Sequence, residues 1–207
     1  MTERFTVINV DRSSKARMIQ AILSDHLQGP VAGYRTLDIG CGNGGISESF
    51  ASTNEHYAVD IKDQRHNTAA TYDFHLVASE RLPFGDGFFD IVVSHHVIEH
   101  VSDQHLHLAE IRRVLKPHGI AYLATPNRTS PIMKGHVGND RVLGYRAMLA
   151  IIREHGFAGR EFGSIVVKEP DRFHAEIRYG RFLPLFLIRL LRPLFPSQMF
   201  VLRKVTR

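Results

Sequence analysis

Hydrophobic positions along this chain follow two rhythms. In KARMIQAILSDHL (15–27), Met18, Ile19, Ile22, Leu23 and Leu27 recur at the spacing of a helix with one apolar face, and QGP ends the segment. YRTLDIG (34–40) reads as a short buried strand. A glycine-rich loop follows, and ISESFAS (46–52) starts a helix whose N-terminus faces whatever the loop holds. A second strand, HYAVD, ends at Asp60, and a third around DFHLVA (73–78) runs into the turn-rich SERLPFGDGFFD. FFDIVVSHH (88–96) is the nearly unbroken apolar run expected of a parallel strand covered on both faces. VSDQHLHLAEIRRVL (101–115) predicts a helix with Ser102 or Asp103 as N-cap and Leu106, Leu108, Ile111, Val114 and Leu115 as its buried stripe, broken by KPHG. IAYLATPN is the next strand, YRAMLAIIREHGF a helix closed by Gly156, and SIVVKE and QMFVLRKV two final strands. This alternation predicts an α/β fold on a mostly parallel sheet, with ligand sites at the C-terminal ends of the strands.

At 207 residues the chain suits one domain with a single substantial core. Its 43% hydrophobic and 23% charged composition is that of an ordered globular protein, so disorder is not the default. The lone cysteine, Cys41, excludes an internal disulfide framework, and MTERFTVINVDRSSKARM has no apolar core of the secretory kind, which makes the cytoplasm the expected compartment. Charge is uneven: residues 1–140 hold 13 Lys+Arg against 16 Asp+Glu, whereas residues 141–207 hold 13 against 5. A basic C-terminal third fits a solvated helical face, nucleic acid, anionic lipid or an acidic substrate.

TLDIGCGNGG (36–45) can be divided as G-x-G-x-x-G on Gly40, Gly42 and Gly45, or as D-x-G-x-G-x-G from Asp38 to Gly44. Either way, glycines without Cβ let backbone approach a ligand, and Asp60, 20 residues after Gly40, suits ribose hydroxyls. Asp38 discriminates. A carboxylate ending an apolar strand needs a cation or several donors, and its charge opposes a dinucleotide pyrophosphate. A ligand carrying ammonium and sulfonium groups fits better than the nicotinamide cofactor of a dehydrogenase. Cys41 inside this loop is a small residue suited to close packing more than a nucleophile.

LDIGCGNG resembles the first motif of class I S-adenosylmethionine-dependent methyltransferases. AVD, SERLPFGDGFFDIVVSHHVIEHV, EIRRVLKPHGIAYLATPN and EHGF follow in the family's order, so the resemblance covers roughly residues 34–157. The chain looks most like the small-molecule methyltransferases of the ubiquinone-biosynthesis type. The resemblance implies a Rossmann-like, mostly parallel seven-stranded sheet with helices on both faces and an antiparallel C-terminal hairpin. The core would be 34–169, with 170–198 a lid or interface segment inserted before the last strand. It also implies S-adenosylmethionine as cofactor. Asp38 and the backbone at Gly40, Cys41 and Gly42 would hold its methionine part, Asp60 the ribose and Ile61 the adenine face. Ser79, Glu80 and Arg81 would lie at the adenine edge, and His95 on the side facing the methyl group. Ala78 stands where the family often has an Asp that accepts from the adenine amino group, and His118 where glycine is frequent.

HVIEH (96–100) also matches H-x-x-E-H, a zinc-peptidase pattern, but that chemistry needs both histidines on one face of an established helix plus a third ligand. Here the motif follows a buried strand directly and coincides with the family's own EHV segment, so no metal is expected. His96, and His136 in the loop after TPN, are candidate bases for removing a proton from an acceptor hydroxyl. The stretch GRFLPLFLIRLLRPLFPSQMF (180–200) falls short of the roughly 20 uninterrupted apolar residues of a membrane span, and Pro184 and Pro193 limit any helix there. It reads as a cap over the acceptor, with peripheral membrane contact through 181–195 as the alternative. The expected activity is O-methylation of a small or lipid-linked acceptor. Lack of an N-P-P-[YF] tetrapeptide and of tryptophan argues against methylation of a nucleic-acid base, and a non-catalytic cofactor-binding protein is the rival from another class.

Overall fold

The computed structural model describes residues 12–65, 72–78, 81–131, 141–164 and 197–205. In chain order these form α1 (Arg12–Leu27), β1 (Arg35–Ile39), α2 (Gly45–Ala51), β2 (Glu55–Asp60), β3 (Asp73–Leu76), β4 (Phe89–His95), α3 (Gln104–Val114), β5 (Leu115–Pro126), α4 (Tyr145–Glu154), β6 (Phe157–Ser164) and β7 (Ser197–Lys204). The strands build one sheet in the order β3-β2-β1-β4-β5-β7-β6. The pairs from β3 to β5 are parallel, and β7 is antiparallel to both β5 and β6. This is the Rossmann-like sheet with an antiparallel C-terminal hairpin that the sequence implied.

Helices cover both faces because the strands alternate what they offer each layer. Leu37, Ile39 and Val92 pack with Leu108, Ile111 and Val114 of α3 and Met148 and Ile152 of α4. Ile91, Val93, Ile120 and Tyr122 pack with Ile19, Ile22 and Leu23 of α1 and with Ile46 and Phe50 of α2. The sheet grows in one direction from β1 to β3 and in the other from β1 to β4, so a crevice opens between the C-terminal ends of β1 and β4, where such folds bind ligands.

Three expectations need correction. Leu106 is 40% exposed and leaves the buried stripe of α3, because it sits in the first turn, where the Asp103 carboxylate caps the amides of His105 and Leu106. KPHG does end the helix, yet its residues continue inside β5, which begins at Leu115. The register slips between the Phe89↔Leu115 and Ile91↔Ile120 pairs, and the surplus residues are accommodated as a bulge. The strand expected at SIVVKE instead starts at Phe157. Gly156 at φ 66 turns the chain directly from α4 into β6, an edge strand of the sheet whose FAGREFGS sequence lacks an apolar rhythm. Of SIVVKE only Ser164 is described. At the start of β7, Ser197 and Gln198 pair with Pro126 and Thr125.

Candidate functional site

The glycine loop leaves β1 at the crevice. Asp38, 1% exposed, is the penultimate residue of β1, and the Ser47 hydroxyl of α2 donates to its Oδ2 at 2.7 Å. A buried carboxylate is costly without such a donor. Gly40, Gly42 and Gly44 all have positive φ, at 70°, 54° and 84°, whereas Gly45 does not and begins α2. The glycine that completes G-x-G-x-x-G is thus helical, and the strained positions are those of the D-x-G-x-G-x-G division.

Two of these glycines are also sterically required. A Cβ on Gly40 would lie 2.5 Å from Val97 Cγ2, and one on Gly44 would lie 2.6 Å from Tyr72 Oη. The turn after β4 therefore presses on the loop after β1 at the point where the sheet changes direction. The loop is tied to β2 as well. The Gly40 and Cys41 amides donate to Val59 O at 2.8 and 3.2 Å, and the Gly42 amide donates to Asp60 Oδ2 at 2.8 Å. Asp60 Oδ1 accepts the Lys62 amide at 3.1 Å. Each carboxylate oxygen keeps capacity for a further donor, such as a ribose hydroxyl.

Two carboxylates dominate the charge around the loop. Burial, then the charges of Asp38 and Asp60, push the Cys41 thiol up to about 12, which makes it inert near neutral pH. Its side chain packs with Ala58 and Tyr72, the close-packing role expected for it. Ile61, just past the end of β2, and Leu76, the last residue of the adjacent parallel β3, are 69% and 65% exposed. Two bare aliphatic side chains beside a carboxylate offer a flat apolar face and a polar edge. Arg65 borders the loop, donating through Nε and Nη2 to the two Asp63 oxygens and lying 4.0 Å over the Phe74 ring.

β4 ends at His95, whose ring stacks on Tyr122 at 6.1 Å and meets the His96 ring edge-on at 4.6 Å. His96 has φ 58, its amide donates to Ala124 O at 2.9 Å, and its Nδ1 lies 3.0 Å from Oε1 of Glu99, which is 3% exposed. Residues 96–100 form a turn, and His100 is exposed. The one-face helical geometry that H-x-x-E-H requires is absent here, and among the described residues no three His, Cys, Asp or Glu side chains gather so as to hold a metal.

Asp38, Gly40, Cys41, Gly42, Asp60, Ile61, His95 and His96 thus converge on one end of the sheet. Arg81 is described and exposed, whereas Ser79, Glu80, His136 and the 181–195 stretch lie outside the described residues. Sequence reasoning missed Ser47, Leu76, Val97 and Glu99. It also missed a clamp on the 81–86 loop. Glu110 Oε2 accepts the Leu82 amide at 2.8 Å, while Arg113 donates to Leu82 O, Phe84 O, Asp86 and Glu110. The Glu–Arg spacing at 110 and 113 on a helix was the signal that could have found it.

Residues 37–123 match a family model described as the methyltransferase domain. The ubiquinone biosynthesis O-methyltransferase of Maricaulis maris is 35% identical over an alignment covering 56% of this chain and 50% of that protein. Its counterpart in Caulobacter vibrioides is 38% identical, covering 55% and 50%. The chain spans about half the length of these relatives. Among solved structures, the Burkholderia thailandensis 1,6-didemethyltoxoflavin-N1-methyltransferase, with bound 1,6-didemethyltoxoflavin and S-adenosylhomocysteine, aligns with a TM-score of 0.64 at 16% identity. That alignment covers 95% of this chain and 80% of the other. No helix among the described residues is long and apolar enough to cross a membrane.

Proposed function

We propose that this chain, whose residues 37–123 carry a methyltransferase domain, is an S-adenosylmethionine-dependent methyltransferase acting at oxygen on a small acceptor. The observation that carries this reading is the pairing of two carboxylates with a loop of sterically required glycines at the switch point of the sheet. The fit to the donor is chemical. Asp38 offers negative charge to its cationic methionine end, the Gly40–Gly42 backbone takes close contact, Asp60 accepts from the ribose, and Ile61 with Leu76 lies under the adenine. Bound there, the donor supplies a methyl group already activated by its sulfonium. What the protein adds is placement of the acceptor oxygen about 3 Å from that carbon and removal of its proton. His96, just past the end of β4, is the first candidate for that removal. His136 is the second candidate, assigned on its position after the fifth strand.

The relatives act, by their names, in ubiquinone biosynthesis as O-methyltransferases, which supports oxygen as the acceptor atom. A lipid-linked acceptor, and contact of residues 181–195 with lipid headgroups, extend the same proposal on the apolar and basic composition of that stretch. Sedimentation with anionic vesicles at low salt tests the membrane arm, and absence of binding removes it. Transfer of a tritiated methyl group to lipid, sugar and aromatic extracts tests the activity. Label in a hydroxylated aromatic or lipid product is expected. Saturable donor binding without transfer to any fraction would favour a non-catalytic binder, the reading to which Ala78 lends weight.

A further inference from the structure

The turn that closes the crevice carries more than a histidine. β4 ends at His95, and the next residue adopts a left-handed conformation at φ 58 that costs free energy for any side chain with a Cβ. The surroundings over-determine it. The His96 amide donates to Ala124 O on β5, Ile98 is fully buried, and the His100 amide closes the turn onto Val97 O at 2.8 Å. Gln104 Nε2 donates to Ile98 O at 3.0 Å. Val97 in turn bears on Gly40, so the turn is registered against the loop that seats the methyl donor. Within this fixed frame the His96 side chain is 38% exposed, while Glu99 beneath it is 3% exposed with Oε1 3.0 Å from Nδ1. Nδ1 is thus the ring nitrogen tied to the buried carboxylate, and Nε2 is the one that tie leaves out.

We infer that Glu99 is the positioning residue for His96: its carboxylate holds the ring proton on Nδ1 and leaves the Nε2 lone pair for the acceptor. This rests on the reading of His96 as the base. An ionised carboxylate can only accept, so the nitrogen facing it must donate, and that fixes which nitrogen is bare. In the transfer, a lone pair of the acceptor oxygen forms the C–O bond as the C–S bond breaks with its electron pair going to sulfur. The hydroxyl proton passes to Nε2, and Glu99 balances the imidazolium that results. His96 also meets the His95 ring edge-on, and behind that ring lies Tyr122 of β5; neither carries negative charge near neutral pH.

The test begins without an acceptor. Nitrogen-15 NMR of the full chain, labelled at histidine and recorded at pH 8, reads the His96 tautomer directly. The wild-type ring is expected with hydrogen on Nδ1. Glu99→Gln keeps the shape and a hydrogen bond but can donate as readily as accept, so the tautomer ratio should shift by about fivefold or more toward Nε2–H, with Glu99→Asp restoring part of it. A tie that merely braced the turn would leave the tautomer unmoved in the glutamine variant. Nε2–H in the wild type, or an unchanged ratio in Glu99→Gln, overturns the inference, and the wild-type spectrum alone suffices if the variant does not fold. Tritiated-methyl transfer to phenol and 4-nitrophenol supplies the second readout. Glu99→Gln should lower kcat at least about tenfold for phenol, leave KM unchanged, and spare 4-nitrophenol, which needs no base at pH 8. If the tautomer is locked as expected but His96→Gln methylates phenol at the wild-type rate, the base reading fails while the contact to Glu99 stands, and the two failures remain distinct.

Discussion

Replacing Gly40 by alanine tests how the two loops of the crevice depend on one another. The backbone there sits at φ 70, and an L-residue held in that region costs about 1–2 kcal/mol. The added methyl group would also lie 2.5 Å from Val97 Cγ2 and 3.3 Å from Cγ1. Relief requires either that the β-branched valine leave its rotamer to bring its Cβ hydrogen toward residue 40 or that the turn itself move, and both disturb the packing between the two loops. Overpacking of this kind adds about 1–3 kcal/mol, giving about 2–5 kcal/mol in all, a substantial share of the stability of a typical domain. Because the displaced turn carries His95 and His96 and the displaced loop carries the donor's backbone contacts, the loss of binding should exceed the general loss of stability. Guanidinium unfolding and calorimetry with S-adenosylmethionine measure the two effects separately. Gly29→Ala is the control, since a Cβ there meets nothing within 4 Å and should change stability by no more than about 0.5 kcal/mol. If Gly40→Ala unfolds within about 0.5 kcal/mol of the parent and binds the donor with unchanged Kd, the contact between the loops does not carry the weight given to it.

Three further outcomes follow from particular contacts. His56 is buried with Nδ1 2.7 Å from the Thr36 hydroxyl, and burial depresses its imidazolium to about 3 from an ordinary 6.5. The unfolded chain then binds the extra proton as pH falls through 6.5, so stability is fully present above that value and declines toward pH 3. Between pH 7 and 5 the loss is about 2 kcal/mol, and His56→Leu should remove that slope from urea titrations. Ser47→Ala removes the donor to Asp38 and should cost about 1.5–3 kcal/mol in unfolding free energy and weaken the methyl donor about tenfold by calorimetry. Arg113→Ala releases Leu82, Phe84 and Asp86, leaves the Glu110 carboxylate without its guanidinium and should cost about 2 kcal/mol, with faster amide exchange confined first to residues 81–87.

What could be read from the chain was what local chemistry fixes. The apolar runs at β1, β4 and β5 have the composition of strands buried on both faces, and the position of Asp38 before its glycines separated one nucleotide site from another before any coordinates. The course of β6 was not legible. FAGREFGS carries no apolar alternation, and it is a strand only because β7 pairs with it over eight positions, with the backbone at Gly159 so close to Val201 that no Cβ fits. The site divides the same way. Asp38 and the glycines are adjacent in sequence and Asp60 stands 20 residues after Gly40, so they speak through spacing. Ser47 on Asp38 and Val97 on Gly40 are contacts between residues whose types are commonplace, and nothing short of the fold brings them together, whereas Glu99 is already close to His96 in HVIEH and only the conformation of the turn sets it against the ring.

A loop from Asp38 to Gly44 that seats a cationic methyl donor must distinguish it from a dinucleotide. Calorimetry of the full chain with S-adenosylmethionine and with NAD, each repeated on Asp38→Ala, tests that distinction most directly. Saturable heat is expected with S-adenosylmethionine and none with NAD, and the variant should lose at least about a hundredfold in affinity for the first, the effect of removing a buried charge partner. Absence of heat at millimolar S-adenosylmethionine, or binding of NAD that Asp38→Ala leaves unchanged, would contradict that role for the loop.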